Sequence, residues 1–124
     1  MRKKRVLIID DESNFTWILK LNLERTGAYE VRTENQGSRG LIAAREFRPD
    51  LIFLDVMMPD LDGSSVAVQL KDDQATARIP LVFLTATVAR EETEAQGGMI
   101  GGYPFLAKPV TLQQVVACLE QYLG

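Results

Sequence analysis

A chain of 124 residues with 46% hydrophobic and 25% charged residues has the size and composition of one folded domain, which excludes disorder and a membrane-buried protein. The count of 14 Lys and Arg against 17 Asp and Glu gives a net charge of -3, which argues against broad nucleic-acid binding. Histidine is absent and Cys118 is the one cysteine, so Ser-His-Asp and Cys-His nucleophiles, His-ligated zinc and internal disulfides are excluded.

The chain opens on the basic run Met1-Arg2-Lys3-Lys4-Arg5, but the apolar stretch behind it, Val6 to Ile9, stops at Asp10-Asp11-Glu12. That is too short for a secretory h-region and far below the ~20 apolar residues of a membrane span. The expectation is a cytoplasmic chain without membrane association, in which the sequon Asn14-Phe15-Thr16 has no role. Short apolar runs predict strands at residues 5–9, 29–33, 51–54, 81–84 and 103–107, the middle ones buried on both faces. Helical periodicity fills the gaps at 13–26, 38–47, 64–71, 88–96 and 111–122. Gly27 stops the first helix, and Thr111, following Pro109, caps the last.

Within the first helix, at about 100° per residue, Phe15, Leu19 and Leu23 form the stripe that a sheet can bury. Trp17, Ile18 and Leu21 form a second stripe that points away from it, flanked by the charged Lys20 and Glu24. It is either an exposed interface or, if the helix is more enclosed, part of the core. The stretch from Gly97 through Gly98, Met99, Ile100 and Gly101 to Gly102 is rich in glycine, which costs about 1 kcal/mol at each helix-interior position. The fourth helix is therefore expected to end early, either in a C-cap and turn or in a mobile output surface. Pro104 assigns the fifth strand to a sheet edge or a strand start, and Cys118 falls at apolar spacing as a buried packing residue.

Alternating strands and helices imply an α/β fold with a parallel sheet, in which polar residues at the C-terminal strand ends line the ligand crevice. The first strand ends in Asp10-Asp11, the third in Asp55, the fourth in Thr85 and the fifth in Lys108-Pro109. Each alone has an ordinary explanation, such as an Asp capping the next helix, but agreement at four strand ends is hard to attribute to turns. Three carboxylates packed together repel one another unless a cation sits among them, and hard oxygen donors suit Mg²⁺, with Mn²⁺ as an alternative. The Thr85 hydroxyl and Lys108 ammonium can hold the oxygens of a phosphoryl group, and the Asp55 carboxylate can accept it as an acyl phosphate.

The strings Asp10-Asp11, Asp55-Val56-Met57-Met58-Pro59 with Gly63, Thr85-Ala86 and Lys108-Pro109 stand in an order that resembles the response regulator receiver domains of two-component signal transduction. The resemblance covers residues 1–124 as a single receiver domain. It implies a flavodoxin-like (βα)5 fold, a doubly wound five-stranded parallel sheet in the order 2-1-3-4-5 with helices on both faces. It makes Asp55 the phosphoacceptor and a metal ligand, Asp11 a direct ligand, Asp10 a ligand through metal-bound water, and Met57 a ligand through its backbone carbonyl. Thr85, the Ala86 backbone amide and Lys108 would bind the phosphoryl group. Thr85 and Phe105 would form the switch, with a ring lacking the hydroxyl of the Tyr that many members carry. Apolar Met57, with Thr87 offering no carboxylate or amide to orient water, would slow hydrolysis of the acyl phosphate relative to a Met57→Asn variant.

What the resemblance implies is a phosphorylatable receiver in a two-component or phosphorelay pathway. Its phosphoryl source would be a histidine kinase or histidine phosphotransfer protein, since this chain has no histidine of its own. It would catalyse its own phosphorylation and a slow autodephosphorylation and no other reaction. A stand-alone type is expected, since no output segment follows the last helix, and it would signal by docking a downstream protein or by forming its own dimer. Trp17, Ile18 and Leu21 are the residues expected to contact the donor protein or a second copy. The alternative is a phosphate-independent interaction module on the same fold, against which the intact acidic and basic residues argue. A phosphatase with an Asp nucleophile would need a carboxylate where Met57 stands, and Asp10-Asp11-Glu12 would repel the pyrophosphate of a dinucleotide.

Overall fold

Runs that are apolar on both faces become the central strands. The computed structural model describes residues 2–86, 99–100 and 102–124; the helix expected at 88–96, Thr87, Gly97, Gly98 and Gly101 lie outside them. In chain order the elements are β1 (Lys4–Ile9), α1 (Ser13–Arg25), β2 (Tyr29–Glu34), a 3-10 turn (Gly37–Arg39), α2 (Gly40–Phe47) and β3 (Leu51–Asp55). They continue with α3 (Gly63–Asp72), β4 (Leu81–Thr85), β5 (Met99–Ile100), β6 (Tyr103–Ala107) and α4 (Leu112–Leu123). The sheet order is β2-β1-β3-β4-β6-β5, and all pairings are parallel except β5 on β6. Counted among themselves, the parallel strands have the expected 2-1-3-4-5 order.

The two-residue β5 is an addition that the sequence does not announce, and it pairs antiparallel on the outer side of the last long strand. Met99 pairs with Pro104 and Ile100 with Tyr103, next to Gly102 in the left-handed region at φ 86. A dipeptide strand is too short to leave a periodic signal among glycines. Pro104 itself precedes the first parallel pair, Phe83 with Phe105, so its missing N–H interrupts no bond of that ladder.

Alternation along the strands divides the core in two. Val6, Ile8 and Phe53 meet Leu19 and Leu23 of α1 and Val115 and Leu119 of α4, whereas Leu7, Ile9 and Leu54 meet Ala43 of α2 and Val66 and Leu70 of α3. Helices thus cover both faces, and each fully buried aliphatic side chain contributes roughly 1.5–3 kcal/mol. Local chemistry sets the helix ends. Asp62 caps α3 by accepting from Ser65 N at 2.8 Å, Thr111 and Gln114 form a capping box on α4, and Gly27 closes α1 at φ 81. Cys118 is buried, and burial pushes its thiol up to about 11, as befits a packing residue.

On α1, Leu19 and Leu23 are buried and Phe15 packs half-buried against the same core. Trp17, Ile18 and Leu21 remain 59%, 56% and 37% exposed, which removes the possibility that they belong to the core. Among the described residues no helix is long and apolar enough to cross a membrane.

Candidate functional site

Parallel register brings the strand ends level. Ile9 pairs with Leu54, Asp55 with Leu84, and Thr85 with Ala107, so Asp10, Asp55, Thr85 and Lys108 emerge at one edge of the sheet. The backbone N–H of Lys108 donates to Thr85 O at 2.8 Å and ties the last two of these ends together. Asp10, Asp55 and Thr85 are buried, while Asp11 is exposed at the rim. Carboxylate oxygens of Asp10, Asp11 and Asp55 all lie within 4.8 Å of one another.

Lys108 Nζ stands 2.6 Å from Asp10 Oδ2, 2.7 Å from Glu12 Oε1 and 3.9 Å from Asp55 Oδ2, with the Phe15 ring centroid at 4.8 Å. Asp10 Oδ1 accepts from Glu12 N at 3.0 Å, but its buried Oδ2 has the ion pair to Lys108 and no aligned hydrogen bond. Asp55 Oδ1 accepts from Met57 N at 3.3 Å. Electrostatics follow from this crowding. Burial pushes Asp55 up to about 7; the Asp10 charge and a hydrogen bond with Asp11 add to it, while Lys108 and the Met57 amide oppose it. Burial also raises Asp10 against the opposing Lys108 and Glu12 amide contacts. Burial pulls the Lys108 ammonium down, but its bonds to Asp10 and Glu12 outweigh that and leave it raised.

The donor set fits a hard divalent cation. Three carboxylates converge, and burial raises two of them, Asp10 and Asp55, so a cation among them would relieve their crowding. Asp10, Asp11 and Asp55 are the residues that would hold it.

Of the other expected site residues, Ala86 is exposed and lines an open cleft of roughly 330 Å³ with Glu12, Phe15, Lys108, Pro109 and Val110. The Met57 side chain is exposed beside Asp55. Phe105 lies half-buried against the core on the α2 and α3 side, and Thr87 falls outside the described residues.

Three contributors escaped the sequence reading. Glu12 reaches Lys108; Asn35 Nδ2 donates to Asp10 O at 2.7 Å and to Thr16 Oγ1 at 3.0 Å; and Asp60 accepts from Gly37 N and Ser38 N at 3.1 and 3.0 Å. Asn35 directly follows β2, so the strand-end rule that found Asp10 and Asp55 finds it when applied to the second strand. Asp60 ties the loop after β3 to the turn after β2, and the Ser38 and Gly37 amides hold its carboxyl below the usual range.

A sequence profile of the family described as the response regulator receiver domain matches residues 6–120. The chain is 37% identical to the DNA-binding dual master transcriptional regulator RpaA of Synechocystis sp. over 96% of its own length and 48% of the relative's, so it spans about half of that protein. It is 33% identical to the polar-differentiation response regulator DivK of Brucella anthropi over 98% of this chain and 97% of that one. Among solved structures, the receiver domain of sensor histidine kinase PA1611 from Pseudomonas aeruginosa PAO1, with a magnesium ion coordinated in its active site cleft, superposes with a TM-score of 0.82 at 26% identity over 99% of both chains.

Proposed function

Because the chain belongs to the response regulator receiver domains, we propose that it is a phosphorylatable receiver in which Asp55 takes a phosphoryl group from a phosphohistidine on a histidine kinase or histidine phosphotransfer protein. One observation carries the reading: a desolvated carboxylate at the end of the buried β3 faces two further carboxylates and an ammonium. In the reaction the P–N bond of the donor histidine breaks and a P–O bond forms on Asp55. Mg²⁺, or Mn²⁺, held by Asp10, Asp11, Asp55 and the Met57 carbonyl, supplies positive charge to the phosphoryl oxygens when bound. Lys108 neutralises a further oxygen, and the Thr85 hydroxyl and Ala86 amide receive the rest. Asp55 is raised to about 7, and a cation bound among the carboxylates would favour its ionised, nucleophilic form. Thr85 and Phe105 transmit the modification, and apolar Met57 with Thr87 slows its hydrolysis.

Incubation of the intact protein with Mg²⁺ and acetyl phosphate, followed by mass measurement, tests this. One added phosphoryl group mapping to Asp55 is expected. No gain in mass would favour the phosphate-independent module, and a group mapping to Asp10 or Asp11 would overturn the assignment.

The exposed face of α1 is the proposed docking surface for the donor protein or a second copy. Trp17, Ile18 and Leu21 stand on the helix that begins at the acidic edge, beside a small groove lined by Phe15, Ile18, Asn22 and Val110. Replacing Trp17 and Leu21 with Ser should slow transfer from the cognate kinase by roughly tenfold or more, as removal of an aromatic anchor does. Phosphorylation by acetyl phosphate should stay within about twofold. Equal loss in both reactions would remove this surface from donor recognition.

A further inference from the structure

Lys108 is held away from the atom that the proposed reaction modifies. Its Nζ is within hydrogen-bond distance of Asp10 and Glu12 at 2.6 and 2.7 Å, but 3.9 Å from Asp55. The two close partners differ in freedom. Asp10 is fully buried, whereas the Glu12 side chain is 61% exposed. Glu12 also occupies the N-cap position of α1, where a side chain ordinarily accepts from an amide of the first turn, yet it makes no such bond. Its carboxylate turns across the crevice to a residue 96 positions away. Glu12 also lines an open cleft of roughly 330 Å³ with Phe15 and Val110, which leaves space beside its side chain.

We infer that Glu12 is a positioning residue, a latch that holds Lys108 between itself and Asp10 until a phosphoryl group on Asp55 competes for the ammonium. This rests on the reading of Asp55 as the acceptor. The Phe15 ring, 4.8 Å from Nζ, flanks the ammonium on a further side. A contact made in the unmodified protein and given up as Lys108 moves to the phosphoryl oxygens stabilises the starting state alone, and therefore slows the reaction. The negative charge of Glu12 at the mouth of the cleft also opposes the approach of an anionic donor. Two variants separate these effects. Glu12→Gln removes the charge and the ion pair together, whereas Glu12→Asp keeps the charge but is one methylene too short to hold the 2.7 Å contact.

Two measurements on the intact protein test the latch. In Mg²⁺-free solution, solvent exchange of the Lys108 ammonium protons, read by NMR, should be slow in the wild type and about threefold or more faster in both variants, because one of two close acceptors is lost. With Mg²⁺ and acetyl phosphate, the phosphorylation rate should rise roughly three- to fivefold in both variants, the range of one partly exposed ion pair. That gain should shrink at high salt. Unchanged ammonium exchange in Glu12→Gln overturns the latch, as does a rate gain in Glu12→Gln that Glu12→Asp does not share. A wild type that takes no phosphoryl group overturns the reading of Asp55, and the latch with it. That failure is visible in the mass of the wild type before any variant is compared.

Discussion

Asp55→Asn is expected to accept no phosphoryl group and, without divalent cations at neutral pH, to be more stable than the wild type. The first outcome follows from chemistry, since an amide oxygen is a poor nucleophile and cannot form the acyl phosphate. The second follows from the crowding that makes the site useful. In the fold, burial and the Asp10 charge raise Asp55 from 3.8 to about 7, so between those values the folded state holds a proton that the unfolded chain has released. Stability must therefore fall as pH rises from about 4 to about 7 and stay flat above, by as much as about 4 kcal/mol from this group.

Asn carries no charge to desolvate and escapes the penalty. The stability gap between Asp55→Asn and wild type should be near zero at pH 4 and reach roughly 1–4 kcal/mol at pH 7.5. Urea unfolding of both proteins across that range reads the gap directly, and the subtraction removes the opposite pH dependence of Asp60 and Asp73, whose hydrogen-bonded carboxyls are lowered. Millimolar Mg²⁺ should close the gap by stabilising the wild type more than the variant. A wild type that gains stability relative to Asp55→Asn from pH 4 to pH 7 would show that the carboxylate is solvated or paired without a cation.

What the sequence made legible was periodic or positional. The apolar runs of β1, β3 and β4 are buried, which is why two-sided hydrophobic strings located them within one or two residues. Once the sheet is parallel, every C-terminal strand end lies on one edge, so Asp10, Asp55, Thr85 and Lys108 could be gathered without coordinates. Local chemistry was legible too, as in the Thr111 cap on α4 and the Gly27 stop on α1. Contacts between loops were not. Asp60 reaches Gly37 and Ser38 over 23 and 22 residues, and Glu12 reaches Lys108 over 96, through single side chains with no repeat to betray them. The start of α2 at Gly40 rather than residue 38 has the same origin, since the 3-10 turn at Gly37–Arg39 is held by Asp60 from across the site.

Gly63→Ala should damage the site from a residue that carries no chemistry. Gly63 is the first residue of α3, and its N–H donates to Val56 O at 2.8 Å, so the backbone of the helix start lies directly on the end of β3. A Cβ at this position would stand 2.3 Å from Asp55 O and 2.8 Å from Val56 Cα, with backbone on the far side rather than a side chain that can rotate away. Relief requires the start of α3 to retreat by about 1 Å or the end of β3 to twist, and a displacement of that size at a reacting group can cost on the order of 100-fold in rate. Overpacking of this kind costs roughly 1–3 kcal/mol in stability. The control is Gly27→Ala, where a Cβ meets nothing within 4 Å and the penalty is the left-handed φ of 81 alone. That variant should lose about 1 kcal/mol yet phosphorylate at the wild-type rate, because Gly27 lies at the far end of α1 from the acidic edge. Gly63→Ala should lose both stability and at least about tenfold in phosphorylation by acetyl phosphate. If it reacts as fast as Gly27→Ala, the contact between α3 and the end of β3 does not set the position of Asp55.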